Sequence, residues 1–185
     1  MNKRVIDMES YNRRDHFEYF KNLGYPYVGV TANVDITTFM LNRKKTRAPF
    51  FLSFVYYVVN AANAVPEFRR RIENGGIVEY DYCRASSVIL KEDDTFAYAR
   101  LDCHKPLSEF LVEGQAEIER VKQKGSIEED EEAASLFFLS CLPWISFTSL
   151  VEAVPNPADS NPRFSFGKYF ERDGRVLIPV SVTAH

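Results

Sequence analysis

The chain has 185 residues, of which 45% are hydrophobic and 26% charged, so its composition is that of an ordinary globular protein and not of a disordered one. The net charge of -3 argues against a non-specific nucleic-acid binder, because Lys and Arg are not in excess. No apolar stretch reaches the ~20 residues of a membrane span, and residues 1–12 lack the apolar segment of a signal peptide.

Cysteines and histidines are few and scattered. Cys83, Cys103 and Cys141 form no C-x-x-C motif, and an odd number cannot all pair within one chain. Since no secretion signal is present, these thiols predict a reducing, cytoplasmic location. The histidines are far apart in the sequence, so we predict no zinc or other metal site.

The first half of the chain predicts a helix, a strand and two further helices, in that order. Residues 13–22 have the pattern of a short amphipathic helix, and residues 26–34 alternate as a strand does. Asp35 is a suitable N-cap for a helix that ends in a basic turn. The next helix begins at Pro49, runs to about Val65 and is apolar over most of its circumference, which predicts burial.

The second half of the chain is richer in strands. A helix is predicted at 107–124, and strand patterns lie at 76–83, 85–91, 95–102, 136–140, 145–150, 164–170 and 175–184. The acidic run Glu128–Glu132 predicts a solvated loop or the start of a helix, and the proline-rich linker 154–163 cannot be a central strand. We therefore predict one α+β domain over residues 1–185, with a layer of helices packed on a mixed, largely antiparallel sheet.

Residues 136–150, LFFLSCLPWISFTSL, give the strongest chemical signal in the sequence. An apolar strand leads to Ser140, and Pro143 and Trp144 then turn the chain. A rigid turn at the end of a buried strand fixes where a hydroxyl points, so Ser140 is a candidate site residue. Taken alone, a serine on a strand is more often bonded to the backbone. The motifs of P-loop, dinucleotide-binding, zinc-protease and serine-hydrolase sites are absent.

At this point the sequence resembles the chloramphenicol acetyltransferase family, the trimeric type that uses acetyl-CoA. The likeness covers nearly the whole chain and rests on six ordered segments: RRDHFEYF (13–20), VDIT (34–37), NAVPEFRRRI (63–72), LSCLPWISFTSL (139–150), FSFGKYF (164–170) and GRVLIPVSVTAH (174–185). The resemblance implies a CoA-dependent acyltransferase-like fold and a homotrimer. It also implies antibiotic resistance by transfer of acetyl from acetyl-CoA to a hydroxyl, in a channel between two subunits.

The resemblance implies roles for individual residues. Ser140 falls on the serine that donates a hydrogen bond to the developing oxyanion, and Arg13 on an arginine that ion-pairs with an aspartate near the catalytic base. The positions that match the acceptor pocket are Tyr19, Phe20, Leu150 and Ser165. The positions that match the CoA side of the channel are Trp144, Lys168 and Tyr169.

Three departures from the family pattern concern the acceptor. The aromatic pair Tyr19-Phe20 has the reverse order, and Leu150 replaces a phenylalanine. Glu152 stands where an apolar leucine contacts the antibiotic, and a carboxylate in an apolar pocket is costly unless it is paired. These changes leave open an acetyltransferase with a different acceptor, a cationic hydroxyl or amine compound included.

The general base is implied to be the second histidine of an H-H-x-x-x-D-G segment. His185 aligns with the first histidine, so we expect the sequence to be cut short before the base and before the aspartate partner of Arg13. In a regular strand, His185 shares a face with Ser181 and Thr183, and the next residue faces the other way. We therefore predict that His185 is an adjacent, structural residue. A non-catalytic binding or assembly protein with the same fold is the alternative.

Overall fold

Strands and helices are interspersed along the chain, as the sequence predicts. The computed structural model describes residues 1–127 and 132–185, so residues 128–131 of the acidic run lie outside the described residues. None of the described helices combines the length and the hydropathy that a membrane span requires. The elements in chain order are β1 (Lys3–Val5), α1 (Arg14–Phe20), β2 (Val28–Asp35), α2 (Thr37–Thr46), α3 (Phe50–Asn63), β3 (Arg70–Glu73), β4 (Gly76–Tyr80), β5 (Arg84–Leu90), β6 (Phe96–Leu101), α4 (Leu107–Lys124), β7 (Leu136–Leu142), β8 (Arg163–Gly167), β9 (Phe170–Arg172) and β10 (Arg175–Ala184).

Most strands join one large sheet. Its order is β2-β10-β8-β7-β5-β6, and β9 pairs with the first part of β10. Strand β7 runs parallel to both of its neighbours, whereas the other pairs in this sheet are antiparallel. The predicted α+β class, with helices on a mixed, largely antiparallel sheet, is confirmed.

The hydrophobic core lies between the large sheet and the helices α3 and α4. The Phe54 ring of α3 meets the Phe166 ring of β8 edge to face, with 4.8 Å between centroids. Phe110 and Val121 of α4 are buried in the same cluster as Leu139 of β7. Each large side chain buried in this way contributes about 1.5–3 kcal/mol. The apolar patterns that predict α3 and α4 are therefore those that place both helices on one face of the sheet.

The smaller antiparallel sheet β1-β4-β3 is not predicted by the sequence patterns. The side chains of β1 are exposed, so no apolar alternation marks that strand. Glu79 on β4 accepts hydrogen bonds from Arg4 on β1 at 3.0 Å and from Arg70 on β3 at 3.1 Å. Opposite charges on neighbouring strands thus stabilise this sheet, where periodicity gives no signal.

The strand predicted at 145–150 is wrong. Strand β7 already has β5 on one side and β8 on the other, so it offers no free edge to this segment. The chain turns after Leu142, whose carbonyl accepts a hydrogen bond from the Ile145 N–H at 3.2 Å. The predicted strand at 164–170 is divided between β8 and β9. The alternation of apolar and polar residues at 145–150 instead arises because Phe147 is buried in a segment that is not a strand.

Candidate functional site

A row of hydroxyl side chains crosses the face of the large sheet that is opposite to α3 and α4. In the strand register, Ser140 of β7 is paired with Ser165 of β8. Ser165 is paired with Ser181 of β10, which is paired in turn with Thr31 of β2. Side chains at directly opposite positions project to the same face, so the four hydroxyls form one line across four strands.

A cavity of about 1290 Å³ lies over part of this face. Ser140 and Ser165 line it from the sheet, together with Phe138. Glu152 and residues 153–157 line it from the segment that follows the Pro-Trp turn. A large concave space into which a few polar groups converge is the usual setting of a small-molecule site.

Ser140 and Ser165 differ in their hydrogen bonds. The Ser165 hydroxyl donates to Glu152 Oε1 at 2.5 Å, and farther along the row Thr31 donates to Ser181 Oγ at 3.1 Å. Among residues 1–127 and 132–185, the Ser140 hydroxyl makes no hydrogen bond, either to backbone or to a side chain. Its O–H is therefore available to a molecule bound in the cavity.

The turn that follows β7 is fixed to the end of β8. The Lys168 N–H donates to the Ile145 carbonyl at 2.7 Å, which ties the segment after the Pro-Trp turn to the residue after β8. A Cβ at Gly167 would come within 2.6 Å of that same Ile145 carbonyl oxygen, so only glycine fits this approach. The end of the strand that bears Ser140 is thereby held from two sides.

The thiol next to Ser140 does not share its face of the sheet. Cys141 is a neighbour along a strand, so its side chain projects to the other face of the sheet. Burial raises the pKa of the Cys141 thiol to about 11, which keeps it protonated near neutral pH. In the described part of the chain, no three His, Cys, Asp or Glu side chains are grouped so as to bind a metal ion.

A second polar cluster, which the sequence analysis missed, lies beside the row. Arg163 donates to both carboxylate oxygens of Asp159, at 2.9 and 2.7 Å, and its guanidinium is 5.5 Å from the Tyr27 ring centre. The Tyr27 hydroxyl donates to Asp159 Oδ1 at 3.0 Å, and the Tyr27 ring lies edge to face with His185 at 5.9 Å. Opposite charges four residues apart predict a contact only on a helix, and residues 159–163 are not helical, so no sequence signal marks this pair.

Burial shapes the titration of this second cluster. It raises the pKa of Tyr27 to about 12, and the nearby Asp159 carboxylate adds to that rise. Burial also lowers the pKa of His185, although Asp159 opposes the change. His185 is therefore favoured in its neutral form, packed against an aromatic ring at the end of β10.

The remaining residues assigned to the acceptor side do not line this cavity. Tyr19 and Phe20 lie on α1, exposed and in edge-to-face contact at 5.2 Å, and Leu150 is half-buried. Arg13 immediately precedes α1 and is exposed, and no described carboxylate pairs with it. Because the expected channel lies between subunits, the roles of these four residues stay predictions.

The three residues assigned to the CoA side lie in adjoining turns at the ends of β7 and β8. Trp144 is 65% exposed, and Lys168, also exposed, bonds through its backbone to the residue after Trp144. The Tyr169 ring lies 5.5 Å from the ring of Phe50 on α3. Their position beyond the strand ends separates them from the cavity, and their role stays a prediction.

Comparison with known proteins gives one consistent result. The family model described as chloramphenicol acetyltransferase matches residues 1–185. A chloramphenicol acetyltransferase of Escherichia coli is 30% identical over 98% of this chain and 84% of its own length. Chloramphenicol acetyltransferase 2 of Haemophilus influenzae is 28% identical over 100% of this chain and 88% of its own length.

Solved structures agree with these relatives. A chloramphenicol acetyltransferase structure matches with a TM-score of 0.89 and 30% identity, over 100% of this chain and 90% of that one. The dihydrolipoamide acetyltransferase of Azotobacter vinelandii matches with a TM-score of 0.68 and 16% identity, over 92% of this chain and 77% of that one. At that identity the second match concerns the fold alone.

Proposed function

Because the chain belongs to the chloramphenicol acetyltransferase family of enzymes, we propose that it transfers acetyl from acetyl-CoA to a hydroxyl of chloramphenicol or of a similar small molecule. One observation supports this proposal above the others. The Ser140 hydroxyl faces a cavity large enough for a small molecule and has no hydrogen-bond partner in the described chain. It therefore has an unused donor at the position that the family resemblance assigns to oxyanion binding.

The proposed reaction is a direct transfer. The acceptor oxygen attacks the thioester carbonyl while a histidine base takes the hydroxyl proton, so a tetrahedral oxyanion forms. Ser140 donates a hydrogen bond to that oxyanion, which is worth about 3–4 kcal/mol in the transition state. Collapse of the intermediate breaks the C–S bond, and the leaving thiolate takes the proton back from the histidine. No acyl-enzyme is needed.

His185 is proposed as a neighbour of the base and not as the base itself. The register of β10 with β2 is regular from Leu177 to Ala184, so strand alternation is kept to the end of β10. If this alternation continues, His185 is on the same face of the sheet as Thr183, and the position after His185 is on the opposite face. The resemblance assigns the base to that following position.

We propose further that the enzyme is a cytoplasmic homotrimer. Two observations support an assembly: β2 pairs with β10 alone in the described chain, and its Val28 and Val30 are more than 60% exposed. Three free cysteines fit a reducing compartment. Sedimentation of the native protein should give three times the mass of one chain, and a monomer would contradict the assembly.

A thiol-release assay tests the function. The protein that the complete gene encodes is mixed with acetyl-CoA and chloramphenicol, and free CoA is followed with a thiol reagent. We expect release that depends on the acceptor and yields one acetylated product per thiol. Absence of release with chloramphenicol and with related hydroxyl compounds would overturn the proposal and favour a non-catalytic binding protein.

A further inference from the structure

Glu152 is a carboxylate in the cavity with an unused hydrogen-bonding position. It is half-buried, and its Oε1 accepts the hydrogen bond from Ser165, a residue only 1% exposed. Within the described residues, Oε2 has no hydrogen-bond partner. The Ser165 bond therefore holds the carboxylate against the sheet and leaves one oxygen for another group.

No cation of the described chain forms an ion pair with this carboxylate, although the charge of Arg163 acts on it from farther away. In the described chain, no Lys, Arg or His nitrogen lies within 4 Å of Glu152. The basic side chain of the next cluster, Arg163, is engaged in two hydrogen bonds with Asp159. Because Arg163 is held by Asp159 and is not within ion-pairing distance of Glu152, a cationic ligand would lower the free-energy cost of this partly buried carboxylate.

The position of Glu152 relative to Ser140 fits a single small ligand. Glu152 is bonded to Ser165, and Ser165 is paired with Ser140 on the adjacent strand. Adjacent strands are about 4.8 Å apart, so the carboxylate lies roughly one strand spacing and one hydrogen bond from the Ser140 position. A small molecule could thus present a reacting hydroxyl near one residue and a cation to the other.

We propose that Glu152 makes this site select hydroxyl acceptors that carry an ammonium group, the amino alcohols. This inference rests on the proposed acetyl transfer and names its acceptor class. The ammonium donates a charge-assisted hydrogen bond to Oε2 of Glu152, while the Ser165 hydroxyl keeps Oε1 in place. A neutral acceptor of the same shape leaves Oε2 of Glu152 without a close cation.

A pair of probes that share one skeleton tests the acceptor class. Chloramphenicol is neutral, and its deacylated amine keeps the nitrophenyl propanediol but carries an ammonium group. Calorimetry on the native assembly of the complete protein gives Kd for both compounds with wild type and with Glu152→Gln. We expect the preference for the amine, taken as the ratio of the two Kd values, to fall about tenfold in the variant, equivalent to about 1.4 kcal/mol.

Two further variants make the result specific. Glu92→Gln removes an exposed carboxylate on the β5–β6 turn and should leave the ratio as in wild type. Ser165→Ala removes the anchor of Glu152 and should lower the ratio at least threefold. If Glu152→Gln does not fold, the Ser165→Ala variant serves as the test of the proposal.

The inference and the proposed function fail in different ways. A Kd ratio that stays within twofold of the wild-type ratio in Glu152→Gln overturns the inference. If Glu152→Gln does not fold, the same result in Ser165→Ala overturns it. A fall of the ratio in Glu92→Gln equal to that in Glu152→Gln also overturns it. None of these results bears on catalysis, because binding is measured without acetyl-CoA. Absence of thiol release with both probes would instead overturn the acetyl transfer on which the inference rests.

Discussion

Ser140 and Ser165 are directly paired on the parallel strands β7 and β8, yet within the described chain only Ser165 has its hydroxyl bonded to a protein group. The two serines share a sheet face and a cavity, so sheet geometry alone does not distinguish them. Their hydrogen bonds do. Ser165 holds Glu152, to which we assign a role in selecting the acceptor, and Ser140 keeps a free donor, to which the proposed reaction assigns the oxyanion.

Glu79 should make folding stability depend on acid. Burial by itself would raise the pKa of Glu79, but hydrogen bonds from Arg70 and Arg4 outweigh burial and hold the pKa below its ordinary value. A carboxyl with a lowered folded-state pKa adds stability above its unfolded pKa and loses it as pH falls through the folded one. The thermal midpoint should therefore decrease as the pH is lowered below about 4.5, the ordinary pKa of a glutamate, and it should decrease less steeply in Glu79→Gln.

The control for this acid effect is Glu92→Gln, which alters an exposed glutamate without a described ion pair. Its midpoint should follow the wild-type curve at every pH. The same acid dependence in Glu79→Gln as in wild type would contradict the role given to the β1-β4-β3 charge cluster.

Gly167→Ala should displace the turn that follows β7, next to the strand end that bears Ser140. The added Cβ would lie 2.6 Å from the Ile145 carbonyl and 2.9 Å from the Phe147 ring, so the turn after β7 must shift. Overpacking of this kind costs about 1–3 kcal/mol, and we expect a matching loss in the free energy of unfolding together with reduced acetyl transfer. Gly24→Ala, where a Cβ meets nothing within 4 Å, should change neither measurement. Equal stability of both variants would show that the turn is not tightly packed.

Arg71 should be essential for stability. It is 1% exposed, and its guanidinium donates to the carbonyls of Ala134 at 2.7 Å, Phe68 at 2.7 Å and Leu136 at 3.0 Å. A buried carbonyl left without a donor costs about 1–3 kcal/mol, so Arg71→Met should lower the free energy of unfolding by at least about 3 kcal/mol. Denaturant unfolding at fixed protein concentration measures this loss. Arg14→Met at an exposed position is the control, and a loss under about 1 kcal/mol in Arg71→Met would refute the prediction.

Elements with a strong apolar period follow directly from the sequence. Helix α4 has the predicted bounds, Leu107–Lys124, because one face repeats apolar residues at helical spacing. The alternation of β10 predicts its faces, and the register with β2 confirms that alternation through Ala184. In both cases, local pattern and tertiary position agree.

The features that sequence reasoning missed depend on residues distant in the chain. The burial of Arg71 is possible because the segment before β7 brings carbonyls to its guanidinium, and a run of three arginines contains no sign of that. The same holds for Glu152. Comparison with the family pattern identifies Glu152 as a carboxylate in an apolar pocket, where burial costs free energy. Only the path of the segment after Pro143 shows that Ser165 donates a hydrogen bond to it.

The measurement that tests the account most directly is acetyl transfer by Ser140→Ala in the complete, natively assembled protein. Ser87→Ala is the matched control, because Ser87 lies on the neighbouring strand β5, is fully buried and faces the helices. We predict that Ser140→Ala lowers kcat by about two to three orders of magnitude, with KM changed less than about threefold and the thermal midpoint unchanged. The Ser87→Ala variant should keep its kcat. A folded Ser140→Ala protein whose kcat stays within about threefold of wild type would contradict the account.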